Sequence, residues 1–488
     1  MLARLNLKHK KIPNNNFALH FFESSMLLTR KICLIIPSNV LLYSKSSQDY
    51  RNKIFTNYSV NKLFDFTHLR RDLFHKTADT PVVAIIAENK MSEKLKIEHT
   101  VIKRTISFEK KIRFEIDYYD RHFVPWNWAV DPRKEFVWKT NLLGGGRLFH
   151  LIYRFSLLPT LKSFINKQEN WKSQRGFEGG NKIVIKDQDQ IVGISDDGKP
   201  TIINATITTN NLKDKDIYSS PFIIFEQTLG IRSLKTCFVS SVDLFTKNPF
   251  LYYSRNYVGI VSPKSGEKIL RRIYNLSKAA NEIDRLSYQM YAVCISSNCL
   301  ILHETAIRQN DLLSLPFPAE DGELSISNEE KLLQDDVLNY YIHLGKAISK
   351  RGGGYKLHKE ADAKQIELFG KNFCETLNFI YAKNGKSWQA GNVYRTTMFT
   401  IYQFGYGKND GLRFSLGKDL GHDDVEILVK DKLSNCAAIY NRVVRIYKHI
   451  NGYDCLFLIK PNTLRYWLNS IALRDADDTF MTLKNAGF

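Results

Sequence analysis

Few residues in this chain have the types and spacing that chemistry needs. Cys294, Cys299 and His303 imitate three zinc ligands, but their C-x4-C-x3-H spacing is loose, the stretch is apolar and no fourth ligand is evident. The glycine triplets Gly144, Gly145, Gly146 in LLGGGRLF and Gly352, Gly353, Gly354 in KRGGGYK lack the G-x-G-x-x-G spacing and the preceding strand of a phosphate or cofactor loop. Both read as flexible turns. No Ser-His-Asp order, H-E-x-x-H, paired carboxylate or PD-(D/E)-x-K arrangement stands out, and Asn248-Pro249-Phe250 reads as chance. What the chain does carry is charge. Lys plus Arg number 70 against 50 Asp plus Glu, a formal +20. That excess suits a polyanion, because each phosphate neutralised releases a counterion. Nucleic acid is the leading partner, with an ordinary basic, solvated surface as the plain alternative.

The elements that position such residues belong to a globular chain. A length of 488 with 43% apolar residues and 12% aromatics supports roughly two to four domains with real cores. The 7 cysteines are odd in number, dispersed and free of any C-x-x-C pair, as in reduced, cytoplasmic proteins. The apolar run from residue 32 to 43 is too short to span a bilayer, and no small-residue cleavage site follows it, so neither secretion nor a membrane is expected.

Along the chain, PNNNFALHFFESSMLLT predicts a helix with Asn14 to Asn16 as caps. KICLIIPS predicts a strand buried on both faces, as in parallel sheets. KSSQDYRNKIFTNY predicts a helix capped at Ser46 or Ser47. VNKLFDFT and TPVVAIIAENK predict two strands, joined closely enough to form an antiparallel pair at a sheet edge. From about residue 96 the texture turns charged and alternating, which predicts the strands of a second domain. Residues 165 to 220 read as surface hairpins and loops, and AEDGELSISNEE as a linker. After it come a helix, EKLLQDDVLNYYIHLGKAI, and a closing strand-helix unit, DCLFLIKPNTLRYWLNSIAL.

Residues 17 to 90, from FALHFFESSMLL through CLIIPSNVLLYSKSSQDYRNKIF to TPVVAIIAENK, resemble the last third of the catalytic domain of adenine-N6 DNA methyltransferases. The branch they look most like is the large restriction-modification methylases with their own target-recognition region. There a strand ending Pro-Ser, a helix holding an Arg such as Arg51, a strand ending near Leu73-Phe74 and a Val-Val strand follow one another. SYQMYAVCISSNCLILHETAIRQNDLLSLPFP resembles the close of the recognition region, and FVWKTNLLGGGRLFHLI and SQRGFEGG fall where that region has a Trp-bearing segment and a Gly-rich turn. The resemblance covers roughly residues 15 to 320 and implies an α/β fold. Residues 1–95 would be the C-terminal part of a Rossmann-like methyltransferase sheet, 96–320 an α+β target-recognition domain, and 321–488 a mixed C-terminal domain of unassigned role.

The departures shape the functional expectation. The family's Gly-rich S-adenosylmethionine loop and its Asn/Asp-Pro-Pro-Tyr/Phe motif have no counterpart here, and Glu88 stands about where an aromatic stacks on the flipped base. The resemblance therefore implies the DNA-recognition portion of a site-specific adenine methyltransferase of a restriction-modification or phage-defence system. It would bind double-stranded DNA, hold no catalytic residue or cofactor itself, and need a partner chain to supply S-adenosylmethionine binding and methyl transfer to a flipped base. An open, apolar edge on the KICLIIP strand would then invite that partner. The implied DNA contacts are Arg70, Arg71 and Lys76 beside the strand ends, and Arg308 and Gln309 at the helix start before LPFP, since Arg and Gln suit guanine and adenine edges and Lys suits phosphate. Trp126, Trp128 and Trp138 read as core. The rivals are a non-catalytic specificity or adaptor subunit and the remnant of a truncated methyltransferase gene. An RNA-binding protein is disfavoured because no RNP-like aromatic-basic strand is present.

Overall fold

Asn16 starts the first helix: its side-chain oxygen accepts the backbone N–H groups of Ala18 (3.0 Å) and Leu19 (3.3 Å), two donors that a helix start leaves unpaired. The computed structural model describes residues 12–73, 80–91, 96–103, 116–185, 190–195, 199–204, 206–209, 214–229, 234–240, 250–278, 282–302, 305–317, 323–343, 356–397, 399–408, 442–450 and 452–488. The chain divides into two compact units, Met1–Leu148 with Asp335–Phe488, and Phe149–Gln334. These limits differ from the sequence-based boundaries after residues 95 and 320.

In the first unit, helix α1 (Phe17–Leu28) buries Leu19, Phe22 and Met26. Strand β1 (Lys31–Pro37), helix α2 (Gln48–Asn57) and strands β2 (Ser59–Asp65) and β3 (Val82–Glu88) follow. Arg51 of α2 is fully buried and its Nη1 donates to the carbonyls of Leu41 (3.1 Å) and Leu42 (2.7 Å), closing the turn after β1. Strands β4 (Lys96–Val101) and β5 (Arg121–Pro125) complete a five-stranded mixed sheet of order β1-β3-β2-β4-β5.

Three expectations change here. The apolar strand β1 is not buried on both faces: it pairs antiparallel with β3, Ile35 is 55% exposed, and among the described residues its other edge has no strand. Strand β3 pairs antiparallel with β2 as its short connection requires, but it lies between β1 and β2 rather than at an edge. The charged texture after residue 96 does not open a new sheet, because β4 runs parallel to β2. Glu98 on β4 meets Lys62 of β2 (3.1 Å) and Arg121 of β5 (2.8 Å), so the alternating charges staple one sheet across three strands.

The second unit holds β6 (Lys172–Arg175), β7 (Gly179–Ile185), β8 (Gln190–Ile194), β9 (Pro200–Asn204), β10 (Ile207–Thr209), β11 (Phe222–Leu229), β12 (Leu234–Val239) and β13 (Tyr257–Val261). The hairpins expected over residues 165 to 220 are the pairs β8–β9 and β7–β10. A four-stranded antiparallel sheet of order β12-β11-β13-β6 carries the core around Phe222, Ile224, Tyr252 and Tyr253. Helices α3 (Glu267–Lys278), α4 (Glu282–Ile295) and α5 (Gln309–Leu313) follow.

The C-terminal segment returns to the first unit with α6 (Ala363–Tyr381), β14 (Lys386–Arg395), β15 (Phe399–Lys408), β16 (Val444–Ile450), β17 (Tyr453–Pro461) and α7 (Asn469–Asn485). Its antiparallel sheet has the order β14-β15-β17-β16, and the predicted closing strand-helix unit is β17 and α7.

Buried ion pairs tie this segment to residues 117–121. Asp120 receives Arg465 Nη2 at 2.7 Å and Lys103 Nζ at 3.2 Å. Asp117 receives Arg442 Nε at 2.8 Å and the Tyr466 hydroxyl. Asp475 on α7 receives Lys460 Nζ (2.7 Å), Arg445 Nη2 (2.6 Å) and the Tyr119 hydroxyl (2.7 Å). Burial would raise the carboxyls of Asp120 and Asp475, but the facing cations outweigh it and hold both below their ordinary range. Burial also pulls the Lys460 ammonium down to about 8 against the attraction of Asp475, which leaves it charged at neutral pH.

Asp475→Asn removes the charge that Lys460 and Arg445 share in a site with no solvent access, and is expected to cost about 3–5 kcal/mol in urea unfolding. Arg154→Ala, which breaks the part-exposed pair with Glu330, should cost under about 1 kcal/mol; equal losses would contradict the burial argument. The depressed carboxyls also set an acid limit. Their stabilisation is complete above the unfolded carboxylate pKa of about 4 and is lost as pH falls through the lower folded values, because the unfolded chain takes up protons first. The melting temperature is therefore expected to drop steeply below about pH 4 and less steeply in Asp475→Asn, as calorimetry across pH would show.

Candidate nucleic-acid interface

Strand pairing in the second unit brings three arginines to one cleft. Val258 of β13 lies opposite Arg175 of β6, which sets Arg175 beside the loop that precedes β13. A Cβ on Gly176 would fall 1.9 Å from the Tyr253 carbonyl, so only glycine permits this approach. Arg255 N–H donates to Phe177 (2.8 Å), Gln227 N–H to Asn256 (2.8 Å) and Ile307 N–H to Gln227 (3.1 Å), which laces β11, the loop and the start of α5 together. The cleft between them has a volume of about 720 Å³. Arg175, Arg255, Arg308, Gln309, Asn310 and Asn256 are among the residues that line it.

The side chains there are held to different degrees. The Arg255 carbonyl accepts Arg175 Nε (3.3 Å) and Nη2 (3.2 Å) and Gln227 Nε2 (2.7 Å). The Arg255 guanidinium pairs with Glu178. Glu226, the carboxylate on the cleft wall, faces Lys235 at 3.6 Å. Gln309 Nε2 donates to the Ser173 carbonyl over a long 3.4 Å, while Arg308 and Asn310 are exposed. Positive charge, amides and a wall of backbone carbonyls and N–H groups can bind a phosphate backbone and read base edges.

Of the residues expected to meet DNA, Arg308 and Gln309 fall in this cleft. Arg70 does not reach solvent as its assignment to a substrate cleft required: it is 3% exposed, and its Nη1 donates to the Thr67 carbonyl (3.1 Å), bracing the turn after β2. Arg71 follows it in the short helix Arg70–Leu73, and Lys76 lies outside the described residues. Sequence reasoning missed Arg175, Arg255, Gln227, Asn256 and Asn310. Arg175 lies in the SQRG stretch and Asn310 directly follows Arg308-Gln309, but nothing local to Arg255, Gln227 or Asn256 indicates which strands adjoin them.

Other candidate chemistry resolves into structure. In the first unit Tyr43 donates to Asp65, whose Oδ2 lies 3.3 Å from His99 Nε2, and Asn141 Nδ2 lies 3.1 Å from His99 Nδ1. His99 and Asp65 have no solvent access, so the set braces β2 against β4. Trp138 is core as expected, fully buried beside Phe55, while Trp126 is half-buried and donates its indole N–H to the Phe55 carbonyl (2.9 Å). The turn at Gly144, Gly145 and Gly146 has positive φ throughout; a Cβ on Gly145 would meet the His122 ring at 2.4 Å, while Gly146 faces open space. The second triplet lies outside the described residues. Cys294 and Cys299 are buried free thiols, His303 lies outside the described residues, and no group of His, Cys, Asp and Glu among those described could hold a metal ion. No helix among the described residues is long and apolar enough to cross a membrane.

No protein-family profile and no curated protein matches this chain. Among solved structures, it has a distant similarity to the type IIG restriction endonuclease BpuSI, with 11% sequence identity and a TM-score of 0.24. The match covers 72% of this chain and 46% of that enzyme, so the chain spans about half its length.

Proposed function

We propose that this chain is the DNA-recognition portion of a site-specific adenine-N6 DNA methyltransferase in a cytoplasmic restriction-modification or phage-defence system. The observation that carries the reading is the cleft of the second unit, where Arg175, Arg255 and Arg308 stand among amide side chains in a chain of net charge +20. The sequence resemblance supplies the reaction. Cofactor binding and methyl transfer belong to a partner chain. The apolar face available to that partner is on the first unit, where Phe17, Phe21 and Leu28 of α1 are 84%, 54% and 81% exposed and the strand edge of β1 is unpaired among the described residues. Spaced at four and seven residues, they form a second apolar stripe on a helix that already buries its opposite face, an arrangement that water disfavours.

Two measurements test this. Titration of duplex DNA with the full chain should show log K falling linearly with log salt, by about 0.9 per phosphate neutralised. Arg175→Glu combined with Arg308→Glu should weaken binding about tenfold or more. Purification from the native host should yield a stoichiometric partner, and methyl transfer from labelled S-adenosylmethionine to DNA should occur with the complex and not with the chain alone. A chain that binds no DNA would sink the reading. One that binds DNA, but whose native complex transfers no methyl group, would be a specificity or adaptor subunit instead.

A further inference from the structure

The cleft residues differ in what their hydrogen-bonding groups have left to offer. Reading guanine takes two N–H groups of one guanidinium on O6 and N7, and reading adenine takes both the carbonyl and the amino group of one amide on N6 and N7. Arg175 has its Nε and Nη2 turned to the Arg255 carbonyl, and Arg255 has its charge matched by Glu178. Gln309 is half-buried with its amino group turned to Ser173 of β6. Arg308 and Asn310 flank it, both exposed, and among the described residues neither side chain has a hydrogen bond or ion pair. Arg308 is extended (φ −87, ψ 158) at the N-cap position of α5, and Asn310 lies in its first turn.

We propose that Arg308 and Asn310 are the base-reading pair of this cleft, Arg308 selecting guanine and Asn310 adenine, while Gln309 positions them by anchoring the start of α5 to β6 and Arg175 holds a phosphate. The assignment deepens the DNA-recognition reading and rests on it. It departs from the expectation that Gln309 itself reads adenine. The backbone supports the pair from behind: Arg308 N–H donates to Asp311 Oδ2 (3.4 Å), whose carboxylate also receives the Ser296 hydroxyl (3.0 Å), and Ile307 is tied to β11. A reading pair needs such fixed backbone, because discrimination is lost when the side chains follow the DNA.

The test is selection of bound duplexes from a random-sequence library by the full chain and four variants, each first checked for a wild-type melting temperature. Arg308→Ala should lose a guanine preference at one position by about 10- to 100-fold, and Asn310→Ala an adenine preference nearby by a similar factor. Gln309→Ala should keep the same preferred letters but weaken both preferences together by about threefold, because it loosens the start of α5 without removing a reading group. Arg175→Ala should keep the motif, weaken binding evenly across sequences and reduce the salt slope by about one phosphate. Unchanged motifs in Arg308→Ala and Asn310→Ala, loss of the adenine preference in Gln309→Ala, or a wild-type chain that binds DNA without a motif would each overturn the assignment alone. A wild-type chain that binds no duplex, or binds RNA in preference, would overturn the DNA reading and the assignment with it.

Discussion

The first unit depends on three carboxylates that have no access to water. Asp117 and Asp120 belong to the segment before β5, Asp475 to the last helix, and the cations that neutralise them are Lys103 just after β4, Arg442 just before β16, Arg445 of β16, Lys460 of β17 and Arg465 of the turn after it. Each charge would cost several kcal/mol to bury alone, and the mutual attraction offsets that only when every oxygen has a donor. Here the donors are complete: Asp120 also accepts the Asp117 N–H (2.9 Å), and Lys460, with Asp475, gives a second bond to the Tyr466 carbonyl (2.7 Å) while lying 3.8 Å from the Phe369 ring centre. A network of this kind adds little to stability over well-packed apolar residues. Its physical effect is to penalise any other register between two parts of the chain that are more than three hundred residues apart.

That explains which parts of the fold were legible. Local signals are strong where one element is decided by its own residues: Asn16 as a cap, the Pro37 strand end and the apolar run of β3 all stand where the sequence places them. The partner of each strand is a different matter. β1 has the composition of a central strand, yet its neighbour on one side is β3 and on the other side, among the described residues, no strand follows. Composition reports how much apolar surface a strand has, not whether this chain covers it. The same limit applies to the charged stretch after residue 96, because Glu98 and Arg121 read as exposed, charged strand residues until Glu98 is set between Lys62 of β2 and Arg121 of β5.

The cleft was half legible for the same reason. Arg308 and Gln309 sit at a helix start that the sequence marks, and the fold leaves them at the rim. Arg175 and Arg255 are brought together by the β6–β13 ladder across eighty residues, and nothing local to either announces the other. Arg70 fails in the opposite way: a pair of adjacent arginines after a strand reads as surface, but the turn after β2 has carbonyls to satisfy and Arg70 is the long donor that reaches them.

Affinity in such a cleft is governed by what is already fixed before a ligand arrives. Each rotamer-rich side chain immobilised on binding costs about 0.5–1.5 kcal/mol, and arginines have the most to lose. The Arg255 carbonyl, by accepting from both Arg175 and Gln227, has ordered one arginine in advance. The cost is that Arg175 retains fewer free N–H groups, which suits a phosphate, where charge and position suffice, and not a base edge, where a complete fork is required. Arg308 shows the converse: it is exposed and, among the described residues, its side chain has no hydrogen bond or ion pair. Under the proposed reading, pinned and free arginines in one wall divide holding from reading, and the division follows from a single backbone oxygen placed where the β6–β13 pairing leaves it.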